Sequence, residues 1–226
     1  MEVWDPHFHL WDVTENTHSG HDSSQLFAPK DNPVYSLDLY KQDMLEAGSG
    51  FEHSGGAFVE AVSVCHIGVT GDEFASACLA ETSWVSKQLS NSNNCFIIIS
   101  SASLEDVNVG KILTQLAENP LVRGIRQIIN YEPSWPRNEQ LGDLLSNPRW
   151  CEGYAELKIY SLSYDFQLNP HQLIDAVRLV EKHPDTPVII GHLGSPTIND
   201  LTENKDDYWN GLKAFSEQEK TYIKIS

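Results

Sequence analysis

The sequence predicts an α/β fold, and three observations support that prediction. Short and nearly continuous apolar runs, such as FIIIS at 96–100 and PVIIG at 187–191, suit strands buried on both faces of a parallel sheet. These runs alternate with segments of helical periodicity. The 226 residues, of which 40% are hydrophobic and 21% charged, suffice for one globular domain with a sizeable core.

Seven segments are predicted to form strands because they are short and mainly apolar. They cover residues 2–10, 56–64, 95–100, 122–129, 161–166, 187–193 and 221–226. Helices are predicted between them at 37–47, 72–89, 106–117, 170–183 and 206–219, and loops at 13–32 and 131–138. This alternation favours right-handed crossovers in a sheet that is either closed into a barrel or open and doubly wound.

Charge and composition exclude several classes of partner. The formal net charge of −17 argues against nucleic acid and against an anionic membrane. The first residues show no secretory signal, and no stretch approaches the roughly 20 apolar residues that cross a bilayer. The four cysteines are scattered without CxxC spacing, so we expect neither a disulfide framework nor a structural zinc site. A cytoplasmic protein that acts on a small molecule is the simplest expectation.

The most distinctive local pattern is DPHFHLWD at residues 5–12. If this segment is extended, His7 and His9 project to the same face, because strand side chains alternate with a period of two. Two imidazoles on one face can bind a divalent ion, each through one ring nitrogen. A pair of hydrogen-bonded surface histidines is the other interpretation, and it is the commoner one for an isolated HxH motif.

Polar residues also interrupt the other predicted strands. They are His9, Glu60, Arg126, Asp165 and His192. Burying such groups without partners is costly, so each needs a partner or a polar cavity. Ligand sites in parallel α/β folds assemble at the carboxyl ends of the strands. Five interruptions of this kind therefore favour a site at one edge of the sheet over isolated structural roles.

Two arginines flank the Gly124-Ile125 step, and we favour the second for the site. Arg126 has the strand parity of Gly124, whereas Arg123 points to the opposite face. The planar guanidinium of Arg126 could hold a substrate carboxylate through two hydrogen bonds. His18, His21 and Asp22 lie in the first predicted loop, where we expect them to be solvated. The sequence contains no GxGxxG, GxxxxGK[ST] or GxSxG motif, so nucleotide and serine-hydrolase interpretations lack support.

Several pieces taken together resemble the amidohydrolase-2 family, in particular its sugar-lactonase and dicarboxylate-lactonase branch. The pieces, in order, are WDPHFHLWD, FVEA, PLVRGIRQ, LSYDFQLNPHQL, EKHPDTPVIIGHLGSP and YIKIS. They span nearly the whole chain, and their combination is specific although each piece alone is not. The resemblance implies a TIM-like (β/α) barrel, truncated after the seventh strand, in which residues 1–226 form a single domain lacking the last βα unit.

The resemblance also implies an activity and a set of site residues. Members of the branch open a lactone ring or a related ester-like bond. The implied catalytic residues are His7, His9, Glu60, Arg126, Asp165 and His192. A divalent metal, zinc before others, would be held by His7, His9 and His192, although some members hydrolyse without a metal. The implied partner is a small-molecule substrate.

One departure from the family pattern bears on the mechanism. The pattern continues into an eighth strand whose aspartate, in a GSDWP-like segment, serves as metal ligand or general base, and the sequence contains no such segment. Asp165 would be a weak substitute for that base. A barrel with seven strands would expose two sheet edges, so a homo-oligomer or further polypeptide is expected to cover them.

Two other functions stay open at this point. Related barrels use the same HxH frame with a metal for non-oxidative decarboxylation, which release of carbon dioxide would distinguish. A catalytically inactive homologue that binds a metabolite or a partner protein is the third interpretation, and ligand binding without turnover would favour it.

Overall fold

The computed structural model describes residues 1–14, 32–48, 50–133, 142–203 and 205–225. These residues form two compact units. Unit 1 comprises Met1–Ser101 and Gln115–Arg123, and unit 2 comprises Ala102–Thr114 and Gly124–Ser226. One boundary follows Ser101, and the other two fall within helix α4 (Val109–Ala117) and strand β6 (Val122–Ile125), so both elements begin in one unit and end in the other. The predicted single domain over residues 1–226 stays a prediction.

Unit 1 is built on three parallel strands in the order β1-β4-β5. The strands are β1 (Glu2–Phe8), β4 (Glu52–Val59) and β5 (Cys95–Ser100), and a small antiparallel pair consists of β2 (Trp11–Asp12) and β3 (Val34–Tyr35). The helices are α1 (Leu37–Glu46), α2 (Val62–Cys65) and α3 (Gly71–Ser90). Helix α3 buries Phe74, Cys78, Val85 and Leu89, which lie four, seven and four residues apart and so form one apolar stripe.

Close approach of strands β4 and β5 depends on a glycine. Gly55 has a φ of +148°, and a Cβ added there would lie 1.9 Å from the carbonyl oxygen of Cys95. Only a residue without a side chain permits both features. The pairing of Gly55 with Cys95 sets the register that continues to Val59 and Ile99 at the carboxyl end of the two strands.

The strands of unit 2 are parallel and lie in the order β6-β7-β8-β9. Strand β7 (Ser163–Phe166) pairs with β8 (Val188–Ile190), which pairs with β9 (Thr221–Ile223). Its helices are α5 (Pro148–Glu156), α6 (Leu173–Lys182), α7 (Ile198–Thr202) and α8 (Lys205–Ser216). Short 3-10 turns lie at Leu144–Ser146, Leu157–Tyr160, Pro170–Gln172 and His192–Gly194.

An aromatic cluster forms the core of unit 2. Tyr164 is fully buried and packs edge-on against Trp150, Tyr154 and Phe166, with ring centroids 4.8–5.6 Å apart. Phe215 of α8 contacts Phe166 at 6.0 Å. Burial of large rings in edge-to-face contact is the main stabilising contribution that this unit shows.

The predicted α/β class agrees with these elements, and the differences have local causes. The strand at 95–100 is confirmed, and the helices at 37–47 and 72–89 are confirmed to within one residue at each end. The predicted strand at 56–64 is wrong at its end, because Val62–Cys65 forms a helical turn. Helix α5 and the β2–β3 pair were not predicted. Most of the predicted loop at 13–32, with His18, His21 and Asp22, lies outside the described residues, as does part of the loop at 131–138.

The expectations about membrane-spanning segments and disulfides concern residues that the structure describes. No helix among them is both long and apolar enough to cross a membrane. The four cysteines all lie in described residues, and no disulfide joins them. Burial raises the pKa of the Cys65 thiol to about 12, so this thiol is protonated at neutral pH.

Candidate active site

His7 and His9 meet at the carboxyl end of β1. Their Nε2 atoms are 3.1 Å apart, and the two ring planes are inclined at 70°. Nδ1 of His9 lies 2.7 Å from the carbonyl oxygen of Val59, at the end of the neighbouring strand β4. Because a carbonyl oxygen only accepts hydrogen bonds, Nδ1 of His9 carries a proton, and Nε2 is the nitrogen with a lone pair in the neutral ring.

An irregularity in β1 turns Asp5 away from the histidines. Asp5 pairs with Gly56 and Phe8 pairs with Phe58, so three steps on β1 match two steps on β4. One extra residue of this kind is a β-bulge, which redirects the side chains beyond it. As a result Asp5 and Phe8 both contact Tyr40, although residues three apart on a regular strand face opposite sides.

Asp5 fixes the main chain that carries His7. Its Oδ1 accepts a hydrogen bond of 2.9 Å from the backbone N–H of His7, and its Oδ2 accepts one of 2.8 Å from the hydroxyl of Tyr40. The same hydroxyl is 3.1 Å from Nε2 of His53. Burial, followed by the hydrogen bond to Asp5, raises the pKa of Tyr40, which therefore stays a donor. Sequence reasoning placed Asp5 in the motif but gave it no role.

Glu60 follows β4 and is completely buried. Its carboxylate accepts hydrogen bonds from the backbone N–H of Ser63 at 2.9 Å and from the hydroxyl of Ser63 at 2.8 Å, at the first turn of α2. Glu81 of α3, also buried, accepts a hydrogen bond of 3.0 Å from the backbone N–H of Ala61. The main chain next to Glu60 is therefore held from two directions, and the carboxylate is fixed in place.

A small cavity of about 10 Å³ lies in unit 1. Its lining includes Trp11 and Asp12, which follow His9 in the chain, and Val62, which follows Glu60. A volume of this size holds about one water molecule, so the cavity is too small for a substrate.

Arg126 follows β6 in unit 2 and is 4% exposed, whereas Arg123 is exposed to solvent. Nη1 of Arg126 donates a hydrogen bond of 2.9 Å to Oε1 of Gln167. The two arginines thus differ in burial as strand parity suggests, and the role of Arg126 in a substrate pocket stays a prediction.

Asp165 lies inside β7 and forms a buried ion pair with Lys224. Nζ of Lys224 donates to Oδ2 of Asp165 at 2.6 Å, and both side chains are less than a tenth exposed. Burial raises the pKa of Asp165, and the charges of Lys224 and Arg126 oppose that effect. Among the described residues, Oδ1 of Asp165 has no hydrogen-bond partner.

His192 lies two residues after β8, in a turn with left-handed backbone. His192, Leu193, Gly194 and Ser195 have φ values of +49°, +54°, +78° and +54°. Burial, together with the charges of Arg126 and Lys224, lowers the pKa of His192. The ring is therefore neutral at pH 7, the form that can accept a proton or coordinate a metal. Backbone outliers of this kind are common at functional sites.

The structure thus places the six predicted residues in two groups. His7, His9 and Glu60 follow or end strands β1 and β4 in unit 1, and Arg126, Asp165 and His192 lie at the corresponding ends of β6, β7 and β8 in unit 2. Within unit 2, Arg126 acts electrostatically on both Asp165 and His192. The predicted single cavity for all six, and their catalytic roles, stay predictions.

Lys224 is the polar residue that sequence reasoning missed. It directly follows β9, so it interrupts the apolar strand TYI in the same way as the other five residues interrupt theirs. Only its position in the last predicted strand, close to the end of the sequence, kept it from the same interpretation.

The histidine pair fits a divalent metal as two of its ligands. Two nitrogens bound to one tetrahedral zinc at about 2.0–2.1 Å would lie roughly 3.3 Å apart, close to the observed 3.1 Å. The hydrogen bond from Nδ1 of His9 to a carbonyl oxygen is the usual way in which proteins orient a metal-binding histidine. In the described part of the chain, no group of three or more His, Cys, Asp or Glu side chains is arranged around one point. His192 as the third ligand stays a prediction.

Comparison with known proteins gives one family over almost the whole chain. The family model described as Amidohydrolase matches residues 4–226. Among curated proteins, uncharacterized protein y4mH of Sinorhizobium fredii is 26% identical over 230 residues, which cover 100% of this chain and 73% of that protein.

Solved structures share the fold at low sequence identity. An amidohydrolase from Burkholderia multivorans with bound zinc matches with a TM-score of 0.68 and 15% identity, covering 100% of this chain and 69% of its own. The 2,6-dihydroxybenzoate decarboxylase from Rhizobium matches with a TM-score of 0.62 and 12% identity, covering 99% and 79%. These likenesses confirm the predicted α/β fold class, that of TIM-like (β/α) barrels, of which this chain carries seven parallel strands.

Proposed function

The chain belongs to the amidohydrolase family, and from this premise we propose that it hydrolyses a small lactone, either a sugar-acid lactone or a carboxylated lactone. In this reaction water adds to the lactone carbonyl, the ring C–O bond breaks, and a hydroxy acid is released. The observation that carries the proposal is the pair of Nε2 atoms of His7 and His9, 3.1 Å apart, with His9 oriented by the carbonyl oxygen of Val59.

The two imidazoles are the proposed metal ligands of unit 1. A zinc ion bound there would polarise the lactone carbonyl and lower the pKa of a water molecule. His9 holds its lone pair toward His7 because its Nδ1–H is committed to Val59. Asp5 keeps the amide of His7 in place, and Glu60 keeps the end of β4 in place through Ser63.

The proposed roles in unit 2 follow from charge and protonation. Arg126 anchors a carboxylate or hydroxyl group of the substrate through its planar donors. His192 is neutral at pH 7 because its pKa is lowered, so it can orient substrate or water by accepting a hydrogen bond. Asp165, on which the charge of Arg126 acts, is the weakest candidate for a general base, because Lys224 holds one of its oxygens.

The test is turnover of a panel of aldonolactones and dicarboxylate lactones by the purified protein, with zinc and after chelation. We expect release of the hydroxy acid, dependent on zinc, and a loss of about 100-fold or more in kcat/KM for His9→Ala. His171→Ala, which changes an exposed histidine, is the matched control and is expected to keep full activity.

Two results would contradict the proposal. A folded protein that turns over no lactone would contradict lactone hydrolysis. Binding of a lactone without turnover, unchanged by His7→Ala, would favour the inactive homologue that binds a metabolite.

The fold that the chain shares with 2,6-dihydroxybenzoate decarboxylase supports a second candidate, metal-dependent non-oxidative decarboxylation. Release of carbon dioxide from hydroxybenzoates, with no ring opening of lactones, would select it. For either reaction we propose a cytoplasmic location and a small-molecule substrate, in keeping with the net charge of −17.

A further inference from the structure

The buried pair of Asp165 and Lys224 leaves one polar atom without a partner. Lys224 satisfies Oδ2 of Asp165 at 2.6 Å, while Oδ1, which is equally buried, accepts no hydrogen bond from any described residue. A buried acceptor without a donor lowers stability, so native proteins keep such atoms mainly where a ligand or another function requires them.

Gln127, another buried polar side chain of unit 2, has hydrogen-bond partners for both of its polar atoms. Oε1 of Gln127 accepts hydrogen bonds from the backbone N–H of Leu104 at 3.1 Å and from Nε1 of Trp150 at 2.8 Å. Its Nε2 donates to Glu105 at 2.8 Å. The fold therefore satisfies this buried amide through three partners. Among the described residues of unit 2, the hydroxyls of Tyr154, Thr186 and Thr221 share the lack of a partner with Oδ1 of Asp165, but only Oδ1 belongs to a carboxylate, whose burial without a donor costs most.

The main chain holds both members of the pair. Asp165 is fixed in β7 by its register with Ile189 of β8. Lys224 is fixed through its main chain, because its N–H donates to Ile190 at 2.8 Å and its carbonyl oxygen accepts from Leu193 at 3.1 Å. The second of these bonds also ties Lys224 to the turn that carries His192.

We propose that Asp165 binds a hydroxyl group of the substrate through Oδ1, and that Lys224 is the positioning residue that fixes it for this purpose. The proposal rests on the proposed function and narrows it. An ionised carboxylate only accepts hydrogen bonds, so its partner must be a donor. The carbonyl and ring oxygens of a lactone cannot donate, and a substrate carboxylate beside Asp165 would be repelled. A polyhydroxylated sugar-acid lactone supplies the donor, whereas a dicarboxylate lactone does not.

The experiment compares a parent aldonolactone with its monodeoxy and deoxyfluoro analogues in two enzymes. One is the wild type, and the other is the double variant Asp165→Leu/Lys224→Met, which replaces both members of the ion pair by apolar side chains. At one ring position, we expect both analogues to lose about 10- to 100-fold in kcat/KM with the wild type, because neither hydrogen nor fluorine donates a hydrogen bond. With the double variant the three substrates should react at equal rates.

Two single variants test whether Lys224 positions Asp165 or only stabilises the fold. Lys224→Arg keeps a cation beside Oδ2 and should keep most of the preference for the hydroxylated parent. Lys220→Met removes an exposed lysine of the same chain segment, 3.9 Å from Asp185, and should change neither rate nor preference.

Binding measurements test the role of Asp165 even if the protein turns over no lactone. Aldonolactams, which carry the same hydroxyl groups on a ring that is not readily hydrolysed, should raise the Tm of the wild type more than that of the double variant. If no lactone is hydrolysed but this difference appears, the proposed function fails and the hydroxyl contact stands. If every analogue matches the parent in the wild type, or if the lactams stabilise both proteins equally, Asp165 is not a hydroxyl-binding residue.

Discussion

The histidine pair of unit 1 and the Asp165–Lys224 pair of unit 2 are held by different means. The ring of His9 is oriented by the main-chain carbonyl of Val59, and the main chain at His7 is held by the side chain of Asp5. Asp165 is oriented by a single charged side chain from a strand end 59 residues away in the sequence. A site held by the backbone survives changes in most neighbouring side chains, whereas a site held by one buried charge fails when that charge is lost.

Removal of the buried cation should have the largest effect on stability. Lys224→Met leaves Asp165 buried with no opposite charge at 2.6 Å, and we expect a loss of about 3–5 kcal/mol in the free energy of unfolding, measured by urea denaturation. Asp165→Leu/Lys224→Met should recover most of this loss, because no charge is then left unpaired. A Lys224→Met protein as stable as the double variant would show that the pair is not held by charge.

Loss of an imidazole should chiefly affect metal binding. His7→Ala and His9→Ala each remove one proposed ligand, so we expect zinc affinity to fall about 100-fold or more, measured by competition with a chromophoric chelator. The unfolding free energy of the metal-free protein should change much less than in Lys224→Met. Zinc affinity equal to that of His171→Ala, a variant at an exposed position, would contradict the assignment of the pair.

Weakening the backbone support should have an intermediate effect. Asp5→Ala removes the acceptor for both the His7 amide and the Tyr40 hydroxyl, and we expect a loss of about 1–3 kcal/mol in stability and about 10-fold in zinc affinity. Tyr40→Phe removes only the hydroxyl, so it should lower stability while leaving zinc affinity near the wild-type value. Equal zinc affinities for wild type and Asp5→Ala would show that the amide contact does not position His7.

The smallest expected effect is a pH dependence of unit 1. Burial lowers the pKa of His53 below its unfolded value of about 6.5, so the neutral ring stabilises the fold above that pH, and this contribution is lost as the pH falls. In thermal melts with chelator, the wild type should therefore lose more Tm than His53→Gln between pH 7 and pH 5. Parallel losses for the two proteins would assign the acid sensitivity to other groups.

The sequence predicts contacts between residues close together in the chain better than contacts between residues far apart in it. The HxH motif is contained in three residues, so the meeting of His7 and His9 follows from strand alternation. The partner of Asp165 lies 59 residues away, and only the pairing of β7, β8 and β9 brings it there. The predicted strand at 56–64 also runs into the segment Val62–Cys65, because that segment is mainly apolar. In the structure, hydrogen bonds from Ser63 to Glu60 begin a helical turn there instead.

The bulge at Pro6 and His7 limits how this motif can be transplanted or evolve. Because three steps of β1 match two of β4 between Asp5 and Phe8, deletion of one residue there would restore a regular ladder. Asp5 and Phe8 would then lie two residues apart and keep the same side of the strand, but the His7 amide that donates to Asp5 within the bulge would be displaced. Grafting the two histidines onto another strand would therefore require Asp5–Phe8 as one piece.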